Sequence, residues 1–117
     1  MRTDMNRGNS KERILIKANY QLVPVNFDDI LFIKALSDYV IIKTTTGKYI
    51  TLCTMKEMVK SLPEEVFARP HRSFIVNLDK IASVRGSNIE ISDKDMRFSV
   101  PIGRAYKKDF KASLNAA

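Results

Sequence analysis

Short hydrophobic runs alternate with polar turn residues along most of this chain, a pattern typical of a β-rich domain. The segments between the runs contain the Asn, Gly, Ser and Asp residues that favour tight turns. No alternation of strands with long helices is present, which argues against a doubly wound parallel sheet and predicts a mostly β fold of antiparallel sheets. Strands are predicted near residues 14–16, 22–25, 31–35, 39–44, 49–53, 74–76, 82–85, 89–92 and 97–100, with a single turn at 27–30.

One short internal helix is predicted after residue 53. Thr54 lies three residues before Glu57, the spacing of a capping box, in which each side chain accepts a hydrogen bond from the other residue's backbone amide. Pro63 is expected to end the helix, because a proline disfavours helical geometry in the residue before it. The apolar face of this helix is predicted to contain Met55, Met58, Val59 and Leu62.

A second helix is predicted at the C-terminal end. Ile102, Tyr106, Phe110 and Leu114 recur every four residues and are expected to line its buried side. The other side is strongly basic, and Pro101 fixes how the preceding strand exits. Arg104 is expected in the first helical turn. The basic residues of this segment, opposed only by Asp109, are Arg104, Lys107, Lys108 and Lys111.

The chain is predicted to form one domain. Residues 1–12 are polar and include Gly8, Asn9 and Ser10, so they are interpreted as a linker or tail. Residues 13–114 are expected to form a domain with a single core. The chain has no long apolar run and no apolar stretch near its start, which favours the cytoplasm and no membrane partner.

The overall charge favours a polyanion as partner. Twenty Lys and Arg residues against thirteen Asp and Glu give a net charge of +7. Contacts between such a surface and phosphates are favourable because they release counterions. This indication is weak by itself, since many basic domains bind no nucleic acid.

Enzymatic chemistry finds little support in the residues. His71 is the single histidine, so a mechanism with two imidazoles is excluded. The acidic neighbours Asp28 and Asp29, like Asp93 and Asp95, lie in predicted turns, where Asp is common for structural reasons. No phosphate-binding glycine loop, dinucleotide fingerprint or metal-ligand spacing is present. We therefore predict no enzyme activity, no cofactor and no metal.

The lone cysteine adds no second chemistry. Cys53 excludes an internal disulfide and a cysteine-rich zinc site. Its simplest role is that of a small buried hydrophobic residue at the end of a strand.

The segment from His71 to Ile81 combines polar and apolar residues in the most informative way. His71 and Arg72 are placed at the mouth of a short apolar run, and Asn77 to Asp79 supply turn chemistry at its other end. The guanidinium of Arg72 is expected to project outward, where it could donate two hydrogen bonds to guanine or bind a phosphate. His71 is more simply a packed structural residue, and Ser37-Asp38 taken alone is a polar hairpin turn.

This segment resembles the hallmark of the LytTR family, the DNA-binding output domain of many bacterial response regulators. The resemblance rests on Phe67, Arg69, His71, Arg72, Ser73, Phe74, Ile75, Val76 and Asn77. It extends to residues 27–33, to the Ser37-Asp38-Tyr39-Val40 step, to residues 51–62 and to residues 100–106. In total it covers residues 13–114.

The resemblance implies an elongated assembly of antiparallel sheets that binds double-stranded DNA with loops and regulates transcription. It further implies binding to paired direct repeats and bending of the DNA. The residues placed to approach bases are Ser37, Asp38, Arg72 and Arg104. The candidates for phosphate or supporting contacts are His71, Ser73, Lys107, Lys108 and Lys111.

Several alternatives stay open. Such domains usually follow a receiver domain or a membrane segment, so the chain is either a free-standing regulator or part of a longer protein in a two-component system with a histidine kinase. A β-rich module for RNA or single strands would expose aromatic residues, whereas most of the Phe and Tyr residues here are expected to be buried. A protein-interaction module with an incidental basic surface is the third class. A monomer is expected, because no heptad pattern is present.

Overall fold

The computed structural model describes residues 12–115, which form ten strands in three antiparallel sheets and two helices. The domain is less elongated than the resemblance implies. Its principal extents are 37, 36 and 29 Å. The radius of gyration is 14.1 Å, only slightly above the value of about 13 Å for a compact domain of 100 residues.

The strands and helices have the following bounds. The strands are β1 Arg13–Ala18, β2 Gln21–Asn26, β3 Ile30–Leu36, β4 Tyr39–Thr44, β5 Lys48–Leu52, β6 Phe67–His71, β7 Phe74–Asn77, β8 Ile81–Arg85, β9 Asn88–Asp93 and β10 Met96–Pro101. The helices are α1 Met55–Lys60 and α2 Lys107–Asn115, and short 3-10 turns span Phe27–Asp29, Leu78–Lys80 and Arg104–Tyr106.

A five-stranded central sheet in the order β5-β4-β3-β7-β6 organises the fold. The β1–β2 hairpin and α1 contribute to the core on one side of it, which includes Ile16, Ile33, Ile42 and Met58. The β8–β9–β10 sheet and α2 contribute to a second core on its other side. In this core the ring centroids of Phe32 and Phe98 lie 5.3 Å apart. The central sheet therefore lies between two cores, and its strand ends are left at the surface.

The predicted order of strands is confirmed except for one strand that the sequence did not reveal. β6 contains Arg69, Pro70 and His71, a polar composition with a proline that argues against a strand. It exists because it is an edge strand of the sheet, where proline is tolerated, and its pairing with β7 is irregular between Ala68 and His71. As a result, Arg72 and Ser73 form a hairpin turn, where the sequence alone had suggested the mouth of a single strand.

The capping box of α1 is confirmed. The Thr54 hydroxyl accepts from the Glu57 amide at 3.0 Å, and the Glu57 carboxylate accepts from the Thr54 amide at 2.9 Å. The predicted apolar face is only partly correct, because Val59 is 41% exposed. The helix ends at Lys60 with Ser61 as its cap, three residues before Pro63.

Two further expectations need correction. Cys53 is half-buried, not buried, because it lies between β5 and α1 at the margin of the first core. Ile102 is buried as predicted, but it precedes α2, which begins only at Lys107. Arg104 accordingly lies in a 3-10 turn, because the amides of Ile102 and Gly103 bond to other segments and hold the chain extended there.

Replacing Thr54 with alanine is expected to lower the free energy of unfolding by about 0.5–2 kcal/mol, the usual cost of losing an N-cap.

The pKa of Glu57 is lowered, first by the hydrogen bond from the Thr54 backbone and then by its hydroxyl. A lowered pKa means that the carboxylate stabilises the fold above its ordinary pKa of about 4 and loses that effect as the pH falls through the folded value. We therefore expect urea denaturation between pH 7 and pH 3 to give unfolding free energies for wild type and Glu57→Gln that differ at pH 7 and converge in acid.

The matched control is Thr46→Ala, an exposed threonine in the β4–β5 connection. Its unfolding free energy should stay within about 0.5 kcal/mol of wild type. Equal effects of the two threonine substitutions would contradict the capping role.

Candidate nucleic-acid interface

Two hairpin turns meet at one end of the central sheet. Ser37 and Asp38 connect β3 to β4, and Arg72 and Ser73 connect β6 to β7. Because β3 and β7 are antiparallel neighbours, these two turns lie side by side. The amide of Ala35 donates to the carbonyl of Ser73 at 2.9 Å, which fixes the two turns relative to each other.

The first turn is exposed and locally strained. Ser37 and Asp38 are both exposed, and Ser37 has a φ of 55°, in the left-handed region. A non-glycine residue there costs on the order of 1 kcal/mol, and such strain is often found at functional sites. The carbonyl of Asp38 accepts from the amide of Cys53 at 3.3 Å, which anchors the turn and leaves its side chains at the surface.

The second turn is braced from within. The Nδ1 atom of His71 accepts from the Ser73 amide at 3.0 Å, and its ring packs edge-on against Phe74 at 5.7 Å. A guanidinium nitrogen of Arg69 donates to the carbonyl of Arg72 at 2.6 Å. His71 and Ser73 are therefore half-buried supports, whereas the Arg72 side chain is exposed.

A third segment, which leads from β10 to α2, lies at the same end of the central sheet. The amide of Gly103 donates to the carbonyl of Pro70 at 2.8 Å, so the segment before α2 is bonded to β6 next to the Arg72 turn. A Cβ atom at Gly103 would lie 3.4 Å from the His71 and Tyr106 rings, an ordinary van der Waals distance, so this segment packs closely beside His71. Arg104 follows directly and is exposed. The structure thus brings all four base-approaching candidates to one end of the domain.

Arg69 connects two of these segments and was not recognised as a functional residue from the sequence. Its guanidinium holds the Arg72 turn and also lies over the Tyr106 ring, 5.6 Å from the centroid. Tyr106 belongs to the same 3-10 turn as Arg104. The motif did include Arg69, but its bridging role depends on contacts that only the folded chain creates.

The basic residues of α2 follow the Arg104 turn directly along the chain. Lys107 and Lys108 are exposed in the first turn, and Lys111 lies one turn further, about 6 Å along the axis from Lys107. Cations in the first turn of a helix are unfavourable for the helix dipole, and the only acidic residue there is Asp109. Helix stability therefore does not account for Lys107 and Lys108.

Arg85 is a further basic residue that sequence reasoning missed. It ends β8 directly before the Gly86-Ser87 turn, and the carbonyl of Ser87 accepts from the amide of Ile102 at 2.8 Å. The β8–β9 turn is thereby bonded to the segment that leads to Arg104. A basic residue beside a Gly-Ser turn was the available signal, but it is common on protein surfaces.

The remaining candidates for other chemistry are weak. Burial raises the pKa of the Cys53 thiol, with a smaller contribution from the Glu57 carboxylate, so this thiol stays protonated near neutral pH. Within residues 12–115, no group of three or more His, Cys, Asp or Glu side chains is arranged to hold a metal ion. In the same range, no helix is long and apolar enough to cross a membrane.

Eight of the ten Phe and Tyr residues are buried or half-buried, close to the expectation that most of them are buried. Phe27, Phe67 and Phe110 are buried, but Tyr20 is fully exposed and Tyr39 is 46% exposed. Tyr20 is in the β1–β2 turn and Tyr39 begins β4, so the two tyrosines lie on different sheets. No row of stacking platforms is formed by these two residues.

Comparison with known proteins gives the same family from sequence and from structure. The family model described as the LytTr DNA-binding domain matches residues 20–115. A solved LytTr DNA-binding domain from Bacillus cereus superimposes with a TM-score of 0.71 and 25% identity, covering 88% of this chain and 96% of that one.

Curated relatives are regulatory proteins. The sensory transduction protein LytT of Bacillus anthracis is 30% identical over 105 residues, which cover 87% of this chain and 42% of the relative. The transcriptional regulatory protein YpdB of Escherichia coli K12 is 31% identical over 107 residues, 89% of this chain and 41% of the relative. The chain thus spans less than half the length of these relatives.

Proposed function

This chain belongs to the LytTR family of DNA-binding domains, and from that premise we propose that it reads duplex DNA with the turns at one end of its central sheet. The observation that supports this most directly is the convergence of the Ser37-Asp38 turn, the Arg72-Ser73 turn and Arg104. Two backbone hydrogen bonds, from Ala35 to Ser73 and from Gly103 to Pro70, hold them together. A rigid edge of this kind can present several side chains to a groove at once.

In this proposal the exposed side chains divide into two groups by chemistry. Arg72 and Arg104 read guanine, because a guanidinium can donate to both O6 and N7. Asp38, supported by Ser37, accepts a hydrogen bond from a cytosine amino group, since phosphates would repel a carboxylate. Sequence preference then comes from these three side chains.

The second group binds the DNA backbone. Lys107, Lys108 and Lys111 lie on α2, and Arg85 precedes the β8–β9 turn. We assign phosphate contacts to these residues, and supporting roles to His71 and Ser73, which brace the Arg72 turn. Phosphate contacts position a protein on the duplex without carrying sequence information.

Specific binding with a steep dependence on salt is the first expected result. Each phosphate neutralised on B-DNA contributes about −0.9 to the slope of log K against log salt, so four contacts give a slope of about −3 to −4. Selection from a random duplex pool, followed by titration at several salt concentrations, measures both the site and the slope.

Single-stranded DNA and RNA of the selected sequence are the matched competitors. Equal affinity for all duplexes, or stronger binding to the single strand, would contradict the proposal. A slope near zero would do the same.

Pairing on DNA is the second expected result. One domain that presents a few turns buries only about 600–1,000 Å², which limits its affinity for a single half-site. We propose that the chain is a monomer of 13.4 kDa by itself and that two copies occupy paired direct repeats. Insertion of half a helical turn, about 5 base pairs, between the repeats should abolish any gain from the second repeat, because the two domains then face opposite sides.

Sedimentation velocity without DNA and gel shifts on the two spacings measure these quantities. A stable dimer without DNA is incompatible with this arrangement. So is binding that ignores the half-turn insertion.

The wider setting is also proposed. The names of the relatives, sensory transduction protein and transcriptional regulatory protein, support an output role in a cytoplasmic two-component system in bacteria. In such a system a receiver domain and a histidine kinase would supply the signal. LytTR domains are in general not enzymes, and we assign this chain no catalytic activity and no cofactor.

A further inference from the structure

Half of one face of the central sheet stays exposed although it is apolar. The β8–β9–β10 sheet covers the part of this face that contains Phe32 and Phe74. The part formed by β4, β5 and the end of β3 is not covered to the same degree, and we call it the open face. Its apolar residues are Leu36 at 48% exposure, Tyr39 at 46%, Ile50 at 45%, Leu52 at 71% and the half-buried Ile41.

The strand register shows that these side chains are contiguous. Leu52 pairs with Tyr39 and Tyr39 with Leu36, which makes one row across three strands. Ile50 pairs with Ile41 in the next row. Directly paired residues on one face have Cβ atoms about 5 Å apart, so the rows form one surface. Contiguous exposed apolar surface of this kind is typical of interaction sites.

Lysines border the open face. Lys34 pairs with Ile41, and Lys43 pairs with Lys48 in the third row, so all three project from the same side of the sheet. The amines of Lys34 and Lys43 lie over Phe74 at 5.9 Å and Phe98 at 5.6 Å, at the boundary with the covered half. The strand positions of this face contain no acidic residue, and Asp38 lies beyond them in the adjoining turn.

This combination of an apolar centre and a cationic border excludes several occupants. Two copies meeting through this face would bury its lysines with no carboxylate on the same face to pair with them, which is unfavourable. The segments of this chain outside residues 12–115 offer no complement, because residues 1–11 contain Arg2, Arg7 and Lys11 against Asp4, and residues 116–117 are alanines. Nucleic acid would place phosphates against the leucines.

We propose that the open face is a docking site for a partner protein, which it binds through a segment that presents apolar side chains flanked by carboxylates. The apolar side chains cover Leu52, Ile50 and their neighbours, and the carboxylates pair with Lys34, Lys43 and Lys48. The Ser37-Asp38 turn adjoins this face, so a partner bound there lies beside the DNA that the turn contacts. This site goes beyond the proposed DNA reading, which uses a different edge of the domain.

Phage display tests the proposal. Random peptides of about 16 residues are selected on the whole chain, and peptides that also bind the Leu52→Ser variant are removed by counter-selection. Enriched peptides should combine Leu, Ile or aromatic residues with Asp and Glu. The most enriched sequence, made as a synthetic peptide, should lose about tenfold in affinity against both Leu52→Ser and Lys48→Glu, as expected for central contacts of an interface.

Matched controls come from other surfaces of the same chain. Leu15, 60% exposed on β1, and Lys56, exposed on α1, share the chemistry of Leu52 and Lys48 but lie outside the open face. Leu15→Ser and Lys56→Glu should leave the peptide affinity unchanged. Duplex affinity of Leu52→Ser should equal wild type, while Arg72→Ala should weaken DNA binding and keep peptide binding, so the two proposals fail separately.

Other results would overturn the docking site. They are the absence of peptides that depend on Leu52, enrichment of basic peptides, or equal losses in the control variants. Loss of duplex affinity in Leu52→Ser would assign the face to DNA. Binding to phosphatidylcholine–phosphatidylglycerol vesicles that Leu52→Ser abolishes would assign it to a lipid surface, and self-association abolished by the same change would assign it to a second copy.

Discussion

Alanine in place of Arg72 or Arg104 is expected to weaken binding to the selected duplex by about 1–3 kcal/mol, roughly 5- to 150-fold. Both side chains are exposed at the edge where the hairpin turns meet, and neither contributes to a core. If each donates to one guanine, its removal should also relax the preference at one base position and leave the others intact. Repeating the random-duplex selection with each variant measures the affinity and the lost preference together.

Lys108→Ala is the matched control for this prediction. A phosphate contact carries no sequence information, so this change should weaken all duplexes alike and make the salt slope about one unit shallower. If Arg72→Ala lowers only the stability of the fold, Arg72 is a structural residue. A uniform loss on every sequence would instead place Arg72 among the phosphate contacts.

Asn77→Ala is expected to cost about 2–4 kcal/mol of stability, because it removes three side-chain hydrogen bonds of a buried residue, each worth about 0.5–1.5 kcal/mol. The side chain is fully buried, and its amide nitrogen donates to the carbonyls of Phe27 at 3.1 Å and Ile30 at 2.9 Å. Its oxygen accepts from the Asp79 amide at 3.0 Å. These bonds tie the end of β7 to the turn before β3. Folded domains are stable by only about 5–15 kcal/mol, so this loss removes a large share of the stability.

Urea denaturation at 25 °C measures this effect, with Asn88→Ala as control. Asn88 is exposed and makes one weak side-chain contact, with Ser99 at 3.4 Å, so its loss should stay within about 0.5 kcal/mol. Similar midpoints for the two variants would mean that Asn77 does not hold the fold together in this way.

Local chemistry in the sequence determined much of the architecture. Strand alternation, the Gly86-Ser87 turn and the Thr54–Glu57 capping box depend on residues close together in the chain, so their outcome could be read without tertiary information. The net charge of +7 and the basic face of α2 were likewise visible. The four residues named as base-approaching candidates were found from a motif, and the structure places them at one edge, although their contacts with DNA stay a prediction.

What the tertiary structure decided involves partners distant in sequence. β6 is a strand because it lies at the edge of the sheet, where Pro70 needs no ladder partner, and local propensity gave no sign of it. The bridging role of Arg69 depends on Tyr106, and the role of Asn77 depends on carbonyls 47 and 50 residues away. Leu52 and Ile50 are exposed because the β8–β9–β10 sheet does not extend over them. The apolar pattern along β5 alone does not reveal how far that sheet extends. Residues near one another in the chain fix which elements form, whereas their packing decides which side chains share an edge.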